Sequence, residues 1–395
     1  MSRHYQNSKR KLICAGTAGG IVIVVLVIVI IVIATKEPDY NQTKEKGPKE
    51  QTMPPITVEN SYGQIDGQNV KRYTLTNNNN VEVKIIDYGG IITKVMVPNN
   101  QGVLGDVVLG FDDLEGYKAN DPYLGALIGR YANRIANGTF SLDGTKYTLA
   151  VNNGPNALHG GIKGFDKRVW RSSISDGKLV LTYVSADMEE GYPGEVTATV
   201  TYQLTDANEL IIDYSATTTK KTVINLTNHA YFNLKGEGSG DVLQHFAKVN
   251  ADSFLPVDDT SIPTGGITPV QGTVMDLRVK QKLGDVISLV PGGHGFDHNY
   301  CFGKTGWIKN MARVEDPSSG RYVEVHSTEP GMQFYTAFWN NVTGKGGKHY
   351  GKYSGFCLET QHYPDSPNQL DFPTVVLAPG ETYRQTTTYK FGTNS

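Results

Sequence analysis

Val196-Thr197-Ala198-Thr199-Val200-Thr201-Tyr202 carries the reading of the fold. Apolar and threonine residues alternate with a period of two, which sends Val196, Ala198, Val200 and Tyr202 to one face of an extended strand and the threonines to the other. The same alternation occurs upstream, where Val81, Val83 and Ile85 are interleaved with Glu82 and Lys84. Further strands are expected at Leu179–Val184, Leu210–Ala216, Arg321–Val325, Val375–Leu377 and Tyr383–Phe391. Turn-forming clusters punctuate these runs at Asn77–Asn80, Pro98–Gly102, Asp143-Gly144, Gly191–Gly194 and Gly344–Gly347. No stretch of a dozen residues in this region has helical periodicity, and Phe111–Tyr117 offers a turn of helix at most. The expected fold class is therefore all-β: one large antiparallel multi-sheet β-sandwich over residues 54–395.

Composition supports a packed globule. Of 395 residues, 38% are hydrophobic and 10% aromatic, enough for a large core and too many for a disordered chain. Lys+Arg 37 against Asp+Glu 39 leaves a net charge of −2, so no nucleic-acid partner is expected. The three cysteines, Cys14, Cys301 and Cys357, are too few for a disulfide scaffold and lack metal-ligand spacing. Cys301 and Cys357 read as small buried residues rather than a bridge.

The N-terminus departs from this pattern. Residues 12–35 contain no charge, and Ile21–Ala34 is unbroken apolar sequence, long enough with its flanks to cross a bilayer as a single transmembrane helix. Lys9, Arg10 and Lys11 end a basic tail (residues 1–11) and favour a cytoplasmic N-terminus. A cleaved signal peptide is the rival reading, with Val32 and Ala34 as small residues before the cut; a buried core helix would need a polar face that this run lacks. Residues 36–53 read as a flexible linker. The expected location is a single-pass membrane protein with its globule lumenal or extracellular, or a secreted protein if the segment is cut. Asn-x-Thr sequons at Asn41, Asn137, Asn225 and Asn341 fit such a location, although any that fall in buried strands would be inert.

Four blocks interrupt the alternation with polar residues. Gly129–Gly138 holds Arg130, Asn133, Arg134 and Asn137, as a surface loop or as a polar clamp. In Asn152–Gly161, glycines around His159 would let a ligand approach the backbone closely. In Asn225–Leu234, strand alternation would put Asn225, Thr227, His229, Tyr231 and Asn233 on one face, either a solvated edge or the lining of a polar cleft. In Gly355–Asp365, Glu359 follows an apolar strand start and is drawn inward, where a lone carboxylate is costly to bury without a partner or a polar ligand.

These blocks, with Gly295–Phe302 and Gly331–Thr336, resemble the aldose 1-epimerases, also called galactose mutarotases, in the family's own order and over roughly Ile56–Phe391. The resemblance implies a galactose mutarotase-like β-sandwich. It implies an enzyme that interconverts the α and β anomers of free hexoses such as glucose and galactose. It also implies Glu359 as general base and His229 as general acid, with Asn133, Arg134, His159, Asp297 and Gln333 binding the sugar. Tyr231 and Phe334 are candidates for an apolar wall or for the core. Opening a hemiacetal takes a proton from the C1 hydroxyl and delivers one to the ring oxygen, so one base and one acid suffice. Neither metal nor organic cofactor is needed. Ordinary pKa values make Glu359 ionised at neutral pH, with His229 protonated given modest help from a carboxylate such as Asp297.

Three rival functions follow from the same residues. A membrane-tethered, non-catalytic sugar-binding or adaptor protein could use the same cleft, but it would have no use for an acid paired with a base. A glycoside hydrolase would pair Glu359 with Asp297 and leave His229 idle. Sugar-phosphate epimerisation would want more cations than Arg134. Nothing in the sequence fixes an oligomeric state.

Overall fold

Thr197, Thr199, Thr201 and Gln203 remain half-buried while Val196, Ala198, Val200, Tyr202 and Leu204 are sealed from solvent, so the alternation resolves as a strand, Val196–Leu204, with one face in the core. It pairs in antiparallel register with Glu209–Thr218, where Val200 faces Tyr214 and Tyr202 faces Ile212. Together they form the middle of a nine-stranded sheet that runs Arg171–Ser175, Lys178–Ser185, Val196–Leu204, Glu209–Thr218, Tyr383–Thr393, Arg321–Ser327, Lys309–Glu315, Phe246–Val249, Gln281–Lys282. A five-stranded meander, Thr57–Ile65 to Leu104–Asp106, contributes Val83, Ile85, Val95 and Val97 to the same core. Each large apolar side chain so buried contributes about 1.5–3 kcal/mol. A second five-stranded sheet carries Thr268–Pro269, Ser253–Phe254, Asp297–Cys301, Gly331–Tyr335 and Cys357–Gln361. It is called the site sheet below.

The computed structural model describes residues 55–119, 121–303 and 306–394. The basic tail at 1–11, the membrane segment at 12–35 and the linker at 36–53 lie outside the described residues, as does Cys14. Among the described residues no helix is long and apolar enough to cross a membrane. The expected turn of helix near Phe111–Tyr117 is Leu114–Lys118, capped by the Asp113 carboxylate on Gly116 N–H. The C-terminal strand expected at Val375–Leu377 shortens to Val376–Leu377, paired with Thr222–Val223. Cys301 and Cys357 are free and buried.

Two polar blocks behave differently from expectation. Asn225–Leu234 is not one strand: only Thr227–Asn228 pairs, with Leu127–Ile128, and the rest is held by single bridges such as Phe232 to Phe356. The cause lies in the side chains, which bond to neighbouring main chain instead of lining a face. Asn225 Nδ2 donates to the carbonyls of Ala132 and His362, Thr227 Oγ1 to Thr360, Asn228 Nδ2 to Gly125, and Asn233 Nδ2 to Gly240 and Ser354. Arg130 is likewise no surface residue. Its guanidinium donates to the carbonyls of Ser185, Ala186, Tyr192, Pro193 and Gly194, and burial pulls its pKa down to about 10 despite nearby Glu189. Buried polar groups of this kind are stable because their hydrogen bonds are made internally.

Candidate active site

The register of the site sheet decides which side chains stand together. Gln333 lies opposite both Asn299 and Glu359, and Tyr335 lies opposite both Asp297 and Cys357. Two rows, Asn299–Gln333–Glu359 and Asp297–Tyr335–Cys357, therefore share one face, because residues two apart on a strand point the same way. Above this face runs the irregular segment that carries His229. Its ring stacks on Tyr231 with centroids 4.9 Å apart and lies nearly perpendicular to Tyr335 with centroids 6.5 Å apart. Nε2 of His229 stands 3.5 Å from Oε2 of Glu359, with both side chains at most 5% exposed.

A two-stranded piece supplies the opposite wall. Arg134–Ile135 pairs with Ala157–Leu158, and just beyond it Asn133 and His159 both take positive φ, 64° and 51°. This is a conformation uncommon for residues other than glycine and sustained here by mutual bonding. Arg134 Nε donates to Asn153 Oδ1 at 3.0 Å. A cavity of about 610 Å³ opens between these walls, lined by Asn133, Arg134, His159, His229, Asp297 and Glu359 together with Tyr123, Tyr231, Tyr335 and Trp339.

Six of the seven residues singled out from the sequence therefore line one cavity. Gln333 is not among the lining residues: it is buried beside the cavity, and its amide donates to Asp297 Oδ1 at 2.7 Å. Asp297 is thus held by Gln333 rather than working alone. Phe334 belongs to the core, while Tyr231 belongs to the cavity wall. Sequence reading missed Tyr123, Tyr335 and Trp339. Tyr335 stands within the quoted Gly331–Thr336 block, but a tyrosine in an apolar run carries no sign of which face it takes. Tyr123 and Trp339 lie in loops without periodicity.

Burial opposes charge on both members of the His229–Glu359 pair. It pushes the Glu359 carboxyl well up from the ordinary carboxylate range, Asp297 adds to the effect, and Arg134 opposes it. It pulls His229 down to about 4, against the pull of its own main-chain carbonyl and of Asp297. Both shifts bias the pair toward a neutral imidazole beside a carboxylic acid, since an isolated charge is expensive in this setting. Oε2 of Glu359 is buried without a hydrogen bond, an acceptor or donor left for a ligand. His159 is also pulled well below the ordinary imidazole range, by burial, by His229 and by the cations Arg134 and Lys167.

His159, His229 and Glu359 present donor atoms within 4.8 Å of one another, a spacing that a divalent cation could bridge. The tautomer of His159 does not suit one. Its Nδ1 accepts from Asn133 N–H at 3.2 Å, so the neutral ring carries its hydrogen on Nε2 and offers a donor there, not a lone pair.

A buried histidine–glutamate pair in a cavity rimmed by hydrogen-bonding groups, on an all-β scaffold, has the make-up of an enzyme site for proton transfer on a polar ligand. Residues 71–390 match the family described as Aldose 1-epimerase. The chain is 51% identical over 313 residues to the galactose mutarotase of Bos taurus, covering 79% of this chain and 91% of that protein. It is 38% identical over 334 residues to the aldose 1-epimerase of Escherichia coli, covering 82% and 96%. The crystal structure of an aldose epimerase homologue from C. elegans superimposes with a TM-score of 0.76 at 32% identity, covering 80% of this chain and 97% of that one. The chain belongs to the aldose 1-epimerase family and is an isomerase.

Proposed function

We propose that the protein interconverts the α and β anomers of free aldohexoses such as glucose and galactose by acid–base opening and reclosure of the ring. The observation that carries this reading is the 3.5 Å approach of His229 Nε2 to Glu359 Oε2 inside the cavity. In the opening step, Glu359 as carboxylate takes the C1 hydroxyl proton, C1=O forms, the bond from C1 to the ring oxygen breaks, and that oxygen takes a proton from His229 Nε2. After rotation about C1–C2 the same protons return on the other face, so the cycle consumes nothing. The pair holds one exchangeable proton throughout: imidazolium with carboxylate over the closed ring, imidazole with carboxylic acid over the open chain. The neutral pair, toward which burial biases the site, is the form that recloses the ring. Hydrogen bonds from sugar hydroxyls to Glu359, and the nearby positive charge of Arg134, favour the charged form when a closed sugar binds.

Asn133, Arg134, His159 and Asp297 would hold the remaining hydroxyls, with Gln333 fixing Asp297. Polarimetry on freshly dissolved α-glucose and α-galactose tests the reading. Accelerated decay of rotation by the full-length protein supports it. A bound sugar with no acceleration would instead make the chain a binding protein. For the N-terminus, the charge-free run at 12–35 supports a retained anchor, residues 36–53 a tether, and a lumenal or extracellular globule. N-terminal sequencing of the membrane-fraction protein distinguishes a retained segment from a cleaved one.

A further inference from the structure

Cys357 precedes Glu359 by two positions on the strand Cys357–Gln361, so both side chains leave the same face, about 6.6–6.8 Å apart at the backbone. They meet the two nitrogens of one ring. Glu359 Oε2 faces Nε2 of His229 at 3.5 Å, and Cys357 Sγ faces Nδ1 at 3.5 Å. We propose that Cys357 is a positioning residue whose sulfur accepts the Nδ1 hydrogen of His229 and so keeps Nε2 as the nitrogen that exchanges the proton. The proposal rests on the reading of His229 as the acid.

The chemistry of the cycle fixes the direction of this contact. After Nε2 has given up its proton, the one hydrogen left on the ring must be on Nδ1, so the partner of Nδ1 has to accept in both halves of the cycle. A thiol that donated to Nδ1 would oppose the imidazolium. Sulfur is a weak acceptor, and burial pushes the Cys357 thiol well up from its ordinary range, so it stays neutral. A carboxylate in this place would stabilise the imidazolium and slow its deprotonation; a neutral sulfur orients the ring without holding its proton. The aromatic contacts prevent the ring from turning away, with Tyr231 stacked on one face and Tyr335 and His159 packed nearly perpendicular to it.

Nitrogen-15 spectroscopy of histidine-labelled full-length protein near neutral pH reads the tautomer directly, the His229 signal being the one lost in His229→Asn. The expected result is a neutral ring protonated on Nδ1 in the wild type and in Cys357→Ser, which retains an acceptor. In Cys357→Ala the ring should shift toward the Nε2–H form. Turnover of Cys357→Ala should fall on the order of 10-fold with KM within about 2-fold, short of the ~10²–10⁴ that loss of a general acid costs outright. Wild-type protein protonated on Nε2, or a folded Cys357→Ala with unchanged tautomer and turnover, overturns the proposal. If Cys357→Ala does not fold, the wild-type tautomer alone decides. Full turnover in His229→Asn overturns the acid assignment itself, a separate result from the tautomer.

Discussion

Asn133 and His159 hold each other through reciprocal hydrogen bonds: Asn133 N–H donates to His159 Nδ1 at 3.2 Å, and His159 N–H donates to the Asn133 carbonyl at 3.1 Å. The imidazole is therefore fixed in tautomer as well as in place, with Nε2–H left as a donor. His159→Ala removes that donor and frees two residues held at positive φ. We expect KM to rise on the order of 10-fold with turnover reduced less, because the proposed function has this group bind substrate and exchange no proton. Steady-state polarimetry at varied sugar concentration checks the split, and a KM equal to wild type would show that His159 makes no substrate contact.

Glu359→Gln separates catalysis from stability. The amide keeps the volume and cannot take a proton, so turnover should fall by ~10²–10⁴. Stability should move the other way. Because the folded-state pKa of Glu359 is raised, the wild type loses stability as pH rises above the unfolded-state value of about 4.3. The variant escapes that loss, and its advantage, about 1–3 kcal/mol, should grow with pH and vanish in acid. Denaturant midpoints at several pH values measure it; a variant less stable than wild type at alkaline pH would contradict the burial argument.

Acid should unfold the protein through its buried histidines. Burial lowers His229 and His245 to about 4, and lowers His159 and His298 as well. Asp297 opposes the shift at His229 and His298, and Asp316 and Asp241 oppose it at His245. In the unfolded chain each titrates near 6.5. Below that value the unfolded state binds protons that the folded state refuses, so stability falls as pH drops, by up to about 1.4 kcal/mol per pH unit for each group. The raised carboxyls of Glu359, Asp87 and Asp166 run the other way over the same range. The four rings therefore set a net decline in denaturation midpoints from about pH 7 to about pH 4.5 that is steeper in Glu359→Gln than in the wild type; midpoints that rise as pH falls in that variant would contradict the burial of neutral rings.

Asn225 ties three segments together. Its amide donates to Ala132 and His362, its Oδ1 accepts from His362 N–H at 2.9 Å, and its side chain is fully buried. Asn225→Ala should cost about 2–4 kcal/mol, the penalty for leaving several buried groups unpaired. The KM of the folded fraction should stay unchanged, since Asn225 does not line the cavity. The same burial makes the Asn225 sequon a poor glycan acceptor in the folded chain, whereas Asn137 and Asn341 are exposed. Thermal unfolding and the mass of protein from a glycosylating host check the two statements.

The period-two runs, the turn clusters and the lack of helical periodicity were enough to foresee an all-β fold, because alternation is a property of a single strand and needs no knowledge of its neighbour. The polar blocks marked His229 and Glu359 as departures from a packed sheet, and it was the family resemblance of those blocks that implied their roles. Cross-strand register lay beyond local sequence. Gln333 stands behind Asp297, and Cys357 reaches the second nitrogen of His229, because strands far apart in the chain align at those positions and not one residue away, where every side chain would reverse its face. Asn225, Thr227 and Asn233 look like cleft residues in sequence and act as main-chain clamps in the fold, a choice made by the carbonyls that happen to face them. Burial likewise depends on the whole assembly. Glu359, an ordinary carboxylate in water, and His229, a ring that titrates near 6.5 there, are both biased toward their neutral forms here, because the tertiary structure removes the solvent that would stabilise their charges.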